Sequence, residues 1–239
     1  MAALASARAK PRVRLDKDRV LRAAIQIADT SGIESLSMRR LAQELGVEAM
    51  SVYYYVANKD EILDGILNIV IAEFELATSG PDWKAAIRRS AISAHDVLTR
   101  HPWACNLMMS VRRVAPARMR YMEALLGRLR EAGFSARMTH HAYHALDSHI
   151  IGSTLWEAGY SSNKDLDDVA KTFVAKTIRE YPYLAEHAEQ HLVKSKGKDL
   201  REFDFGLDLI LDGLEKFRIS SVRRARTDTP RVRRRRHPS

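Results

Sequence analysis

Three positions between Leu36 and Lys59 constrain this chain more than any other feature. They are Ala42, Gly46 four residues later, and Val52 six residues after that, within LSMRRLAQELGVEAMSVYYYVANK. Two short amphipathic segments flank Gly46-Val47, the layout of a helix-turn-helix. Ala42 falls where the two helices cross, and only a small side chain fits there. Gly46 supplies a turn whose positive φ is cheap only for glycine. Val52 plugs the interface, and Leu41 and Leu45 complete the small core.

The rest of the chain reads as helix. No clear run of alternating residues bounded by a hairpin turn is present, so strands are not expected. Glycine and proline punctuate helices predicted near 16–31, 37–45, 48–54 and 58–78, the last opened by the capping box Asn58-Lys59-Asp60-Glu61. After Gly80-Pro81, further helices are predicted near 82–100, 104–110, 116–132, 135–158, 165–180, 183–195 and 200–219. Gly159 to Asn163 reads as a loop, 195–198 as a polar linker, and the last twenty residues as disordered. No repeat of 20–50 residues recurs, which argues against a solenoid.

Composition narrows the class. The 239 residues are 46% hydrophobic and 29% charged, which disfavours disordered, fibrous and membrane-embedded chains. No stretch approaches the roughly 18–20 apolar residues of a spanning helix, so a soluble, cytoplasmic protein with no membrane partner is expected. The single cysteine, Cys105, rules out an intramolecular disulfide. The net charge of +9 is uneven: residues 1–15 carry +4, residues 220–239 carry +7, and the 204 residues between carry −2. Residues 16–59 hold six basic and six acidic side chains, so the helix-turn-helix itself is formally neutral. Both basic ends would steepen salt dependence where they touch phosphate. Deleting residues 1–14 is expected to weaken DNA binding across sequences and flatten the salt slope, and deleting 223–239 to do less.

A helix-turn-helix places its second helix in the major groove. Ala49 and Met50 can contact a thymine methyl, Ser51 a base or a phosphate, and Arg39 a guanine in bidentate fashion. Tyrosine hydroxyls and Lys59 suit phosphate contacts, which position without specifying sequence. Adjacent helical residues lie about 100° apart, so Tyr53, Tyr54 and Tyr55 cannot all be buried. Tyr53 is expected to be half-buried, with Tyr54 or Tyr55 at the DNA.

The stretch LDKDRVLRAAIQIADTSGIESLSMRRLAQELGVEAMSVYYYVANKDEIL resembles the N-terminal domain of the TetR family of transcriptional regulators. The resemblance continues at Trp83, at Glu131-Ala132-Gly133-Phe134-Ser135, and at FDFGLDLILDGLEK over 203–216. That last block is similar to the C-terminal dimerisation helix of tetracycline-repressor-type members. The resemblance implies an all-α protein: a basic flexible arm over 1–15, a three-helix helix-turn-helix DNA-binding domain over 16–62, a larger helical effector-binding and dimerisation domain over 63–219, and an Arg-rich tail over 220–239. Its DNA-contacting positions fall on Met38, Arg39, Ala49, Met50, Ser51, Tyr53, Tyr54, Tyr55 and Lys59. The implied partners are a double-stranded DNA operator, a second copy of the chain and a small hydrophobic effector; the implied mode is repression, without enzymatic activity.

The effector lining implied by the resemblance is Ser90, Ala94, Met108, Val111, Leu125, His140, Tyr143 and Trp156, mostly apolar and aromatic, suiting a hydrophobic or aromatic molecule. Met108 stands where tetracycline-binding members place a histidine that helps hold the drug's magnesium. A thioether does not suit that hard cation, so tetracycline–magnesium is not the expected effector. Gly206 and Gly213 lie seven apart on one helical face with Leu209, Ile210 and Leu214. The resemblance assigns them, with Gly152, to a four-helix bundle between subunits; packing inside one subunit is the alternative.

Other chemistry is weaker. His140 and His144 share a helical face but lack a third ligand, so no metal and no cofactor are expected. There is no Gly-rich phosphate loop, nucleophile elbow or HExxH for an enzyme, and Asp147 and Glu157 read as ion-paired or solvated. The remaining alternatives are a DNA-binding regulator without a small-molecule effector and a helical metal-binding protein or enzyme.

Overall fold

A computed structural model describes residues 15–78, 82–110, 115–161, 172, 180–192 and 201–227. Among the described residues the regular structure is entirely helical. The helices are α1 (Lys17–Ser31), α2 (Met38–Leu45), α3 (Ala49–Tyr53), α4 (Lys59–Ala72), α5 (Trp83–Arg100), α6 (Trp103–Met108), α7 (Pro116–Glu131), α8 (Ala136–Ser161), α9 (Pro182–Leu192) and α10 (Glu202–Thr227). The chain divides into two compact units, one ending at Ile69 and one beginning at Val70.

In the first unit, side chains close the helix starts. Asp16 accepts from the Arg19 amide at 2.8 Å, Ser37 from Arg40 at 3.2 Å, and Asn58 from Glu61 at 2.9 Å. Glu61 reaches back to the Ala57 amide at 2.7 Å, one residue before the partner a capping box would use, and also pairs with Lys17. α1 buries Val20, Leu21, Ala24, Ile27 and Ala28, a helical stripe facing inward. A Cβ added to Gly65 of α4 would sit 2.7 Å from Leu21 Cδ2, so α4 approaches α1 where a side chain is missing.

In the second unit α8 packs against α5, α6, α7 and α10, and α5 also meets α6, α7 and α10. Asp82 caps α5 through the Lys84 and Ala85 amides. α7 begins with Pro116 and ends in Gly133 at φ +94°, where Phe134 N bonds Leu129 O at 3.2 Å and Gly133 N bonds Arg130 O at 3.0 Å. That turn brings Phe134 edge-on to Trp83, ring centres 5.0 Å apart. Arg88 of α5 bonds Asp208 at 2.7 Å and Asp204 at 3.5 Å on α10, and Lys84 pairs with Asp212 one turn on.

Several helix ends differ from the sequence expectation. α4 stops at Ala72 instead of 78, because Phe74 turns in to pack on Tyr121 and the Glu75 backbone bonds the Ser93 and Ser90 hydroxyls of α5. α6 spans Trp103–Met108, not 104–110. α8 runs through Gly159 to Ser161, where a loop was expected; one glycine costs a packed helix only about 1 kcal/mol. α10 continues to Thr227, eight residues into the stretch expected to be disordered. Arginine and alanine favour helix, and cations suit the C-terminal end of the dipole. The helix predicted at 165–180 and the linker at 195–198 fall outside the described residues, apart from the isolated Thr172 and Glu180.

Candidate nucleic-acid interface and buried polar core

The turn between α2 and α3 follows from a few atoms. Gly46 adopts φ +66°, ψ +35°, the left-handed region. Val47 N bonds Ala42 O at 3.0 Å and Gly46 N bonds Gln43 O at 3.2 Å, satisfying the carbonyls that end α2. Ala42, Leu41 and Val52 are buried against this turn and Leu45 is half-buried, so α3 is held by packing.

The outward side of α3 carries the expected contact residues. Ala49 and Met50 are exposed, Ser51 is half-buried, and Tyr54 is 86% exposed. Tyr53 is 45% exposed and Tyr55 is half-buried, the reverse of the expected order for these two. Val52 and Val56 mark the inward face, and Tyr55, beside Val56, leans toward it while Tyr53 and Tyr54 lie away. Arg39 and Lys59 are exposed and Met38 is half-buried at the first turn of α2. The face is therefore large, uncharged over α3 and flanked by two cations, a surface able to enter a groove and touch phosphates.

In the second unit, Ser90, Ala94, Met108, Leu125 and Tyr143 are buried, on α5, α6, α7 and α8, which pack on one another. His140 is exposed and Trp156 is 59% exposed, and Val111 lies outside the described residues. Ser90 donates its hydroxyl to Glu75 O at 2.6 Å.

Arg118 and Tyr121, which the sequence did not single out, lie among these side chains, and Asp147 is ion-paired, one of the two states expected of it. Arg118 Nη2 pairs with Asp147 Oδ2 at 3.2 Å, and Arg118 Nη1 bonds Met108 O at 2.6 Å. Burial holds Asp147 above the usual carboxylate range even beside this guanidinium. Burial, reinforced by Asp147, also raises the Tyr143 phenol. Tyr121 is buried, and burial pushes its pKa up against the opposing hydrogen bond with the Ser90 side chain of α5. The signal in the sequence was a phenol in the i, i+4 stripe Ala117-Tyr121-Leu125-Leu129 of α7, all of it buried. The Cys105 thiol is raised to about 11 by burial and is inert at neutral pH.

The α8 and α10 residues separate into two groups. The Phe203 ring is stacked between His95, centres 3.9 Å apart, and His149, 4.9 Å apart. His149 Nε2 lies 2.9 Å from Phe203 O, and a Cβ on Gly206 would fall 2.5 Å from His149 Cε1. Gly206 thus admits a ring of its own subunit, and Leu214, further along α10, is buried. Gly152 and Leu209 are exposed, Ile210 and Gly213 half-buried, and Phe205, Leu209, Gly213 and Phe217 line one outward stripe of α10. Beside it, Ser148, His149, Gly152, Trp156, Glu157 and Phe203 line a groove of about 370 Å³. Glu157 Oε1 lies 3.2 Å from His95 Nε2, and burial nonetheless holds that imidazole below the usual histidine range. The His140 and His144 rings approach to 4.5 Å, but among the described residues no three His, Cys, Asp or Glu are grouped to hold a metal ion. No helix of those residues is long and apolar enough to cross a membrane.

Comparison with known proteins agrees with this arrangement along both units. Residues 20–66 match the bacterial regulatory proteins of the tetR family, and residues 77–218 the tetracyclin repressor-like C-terminal domain. The HTH-type transcriptional repressor DrrR1 of Streptomyces coeruleorubidus is 35% identical over 217 residues, 86% of this chain and 79% of that one. The class C tetracycline repressor of Escherichia coli is 27% identical, covering 87% of this chain and 94% of its own length. The Streptomyces coelicolor protein ActR, crystallised with actinorhodin, superposes with a TM-score of 0.69 at 27% identity over 86% of this chain and 99% of that one. Two family domains in order, filling most of the chain and bearing an exposed reading helix, make one conclusion: this protein belongs to the tetR family of bacterial regulatory proteins and is a DNA-binding transcriptional regulator, not an enzyme.

Proposed function

We propose that this protein is a homodimeric, cytoplasmic repressor that leaves a pseudo-palindromic operator when a hydrophobic or aromatic small molecule occupies its second unit. The observation that carries the reading is the division of chemistry between the units. One presents Met50, Tyr53 and Tyr54 outward on a short helix; the other encloses apolar and aromatic side chains together with polar ones. Met38, Arg39, Ala49, Met50, Ser51, Tyr53, Tyr54, Tyr55 and Lys59 are the proposed DNA contacts. Two reading helices, one per subunit, would enter successive major grooves about 34–36 Å apart.

The outward stripe Phe205-Leu209-Gly213-Phe217, with Gly152 of α8, is the proposed subunit contact, since such a row of apolar side chains on a helix is costly in water. For the effector, Ser90, Ala94, Met108, Leu125 and Tyr143 are the proposed lining. The likeness to ActR, whose crystal structure contains actinorhodin, supports an aromatic occupant. α4 contains residues of both units, so it is the element through which occupancy would bias the reading helices. The effector acts only through its different affinities for the DNA-binding and released states.

The test is a footprint on the DNA upstream of the gene and its neighbours, followed by titration with polycyclic aromatic compounds including actinorhodin. A protected palindrome released by such a compound supports the reading. A protected palindrome that no such compound releases leaves an effector-free regulator instead.

A further inference from the structure

We propose that Glu61 is a positioning residue for operator binding: through Ala57 and Lys17 its carboxylate holds the turn between α3 and α4 in the form that meets DNA. The inference rests on the contact reading above, in which Tyr54, Tyr55 and Lys59 touch the duplex. Those residues flank Ala57, the tyrosines before it and the lysine two positions after.

The chain has little regular structure at this point. α3 ends at Tyr53, and the amides of Tyr55 and Val56 both bond Val52 O, at 3.0 and 3.2 Å. Val56 is buried, whereas Tyr54, Ala57, Asn58 and Lys59 are exposed. The Ala57 amide donates to Glu61 Oε2 at 2.7 Å, and the Glu61 amide donates to Asn58 Oδ1 at 2.9 Å. The other carboxylate oxygen, Oε1, pairs with Lys17 in the first turn of α1. One side chain therefore ties the turn to the starts of both α4 and α1. The Ala57 amide first, and Lys17 after it, hold the Glu61 carboxyl below the usual carboxylate range.

The Lys17 and Glu61 side chains are 53% and 36% exposed, so their pairing adds little to stability. Its effect is to fix a surface turn before DNA arrives. A turn already in its bound form loses less entropy on binding, and the difference appears as affinity. Lys17 acts through Glu61 and not as a phosphate contact of its own.

The test is a gel-shift titration at a series of salt concentrations, on a duplex carrying the footprinted upstream sequence. Glu61→Ala should weaken binding about fivefold, the ordering cost of the freed turn. Its salt slope and melting temperature should match the wild type, because neither a phosphate contact nor core packing is removed. Hydrogen exchange at the Ala57 amide should quicken. Glu61→Gln, whose amide oxygen can still accept from Ala57, should lose less. Lys17→Gln should weaken binding at an unchanged salt slope, and add little to Glu61→Ala in the double variant. Unchanged or tighter binding by Glu61→Ala overturns the assignment, and so does an affinity loss that tracks a loss of melting temperature. A slope flattened by about one unit in Lys17→Gln overturns it too, as the mark of a direct phosphate contact. Tyr54→Ala and Lys59→Ala are titrated alongside. If they weaken binding and Glu61→Ala does not, only the assignment falls; if neither weakens it, the contact reading falls and the assignment with it.

Discussion

The two units of this protein keep their polar chemistry in opposite places. Up to Ile69, the buried side chains among the described residues are all apolar, from Val20 to Leu67, and the polar and aromatic groups stand outside. Beyond Val70, Ser90, His95, Thr139 and Thr154 are buried, and the Arg118–Asp147 pair is almost enclosed. A reader of DNA needs a dry core that fixes a surface, since groove contacts are made by what protrudes. A unit that receives a small molecule needs polar atoms inside, since there the ligand replaces water.

The contrast breaks most sharply with Val52→Asp. An unpaired charge in the dry interface of α2 and α3 should cost roughly 4 kcal/mol or more. Operator binding should vanish and the first unit melt early, with the second unit's transition retained. One cooperative loss of both units would mean that they do not fold separately.

Arg118→Ala is the matching change inside the second unit. It strands Asp147 in a partly enclosed site and removes the bond to Met108 O, so about 3 kcal/mol of stability should go. Calorimetry checks this, and an unchanged second transition would make the pair dispensable. On the outside of the first unit, Tyr54→Ala and Arg39→Ala should leave melting within about 0.5 kcal/mol of wild type. Each should weaken operator binding by about 1–3 kcal/mol in a gel-shift titration. Unchanged affinity and footprint in both variants would remove α3 as the reading element.

The smallest effect concerns pH. Burial lowers the His95 pKa in the folded chain, against Glu157 of α8 and Asp96 of α5, which raise it, while Arg201 lowers it further. Below pH 6.5 the unfolded histidine takes up a proton that the folded one resists, so stability present above that pH is lost as pH falls. His95→Phe should flatten the melting-temperature profile on the acid side of about pH 6.5. A parallel profile in the variant would assign the acid loss to other groups.

The helix-turn-helix was legible because its constraints are local. Ala42, Gly46 and Val52 lie within eleven residues, and the left-handed turn depends on one backbone position. The order of Tyr53 and Tyr55 was not. α3 is only five residues long, and Tyr55 N bonds Val52 O at 3.0 Å in a tighter turn, so an ideal helical phase cannot be carried past Tyr53. The end of α4 was missed for a distant reason, since Phe74 and Glu75 answer to Tyr121, Ser90 and Ser93.

By itself the sequence determined an all-helical chain, the capped start of α4 at Asn58, a neutral reading head and a family. All of these rest on spacing, propensity and short-range hydrogen bonds. Only the tertiary structure decided that Gly206 makes room for His149, 57 positions earlier, that Arg118 answers Asp147, and that Tyr121 meets Phe74 and Ser90. Burial and pairing join residues far apart in the chain, and periodicity along a helix says which side turns inward but not what waits there.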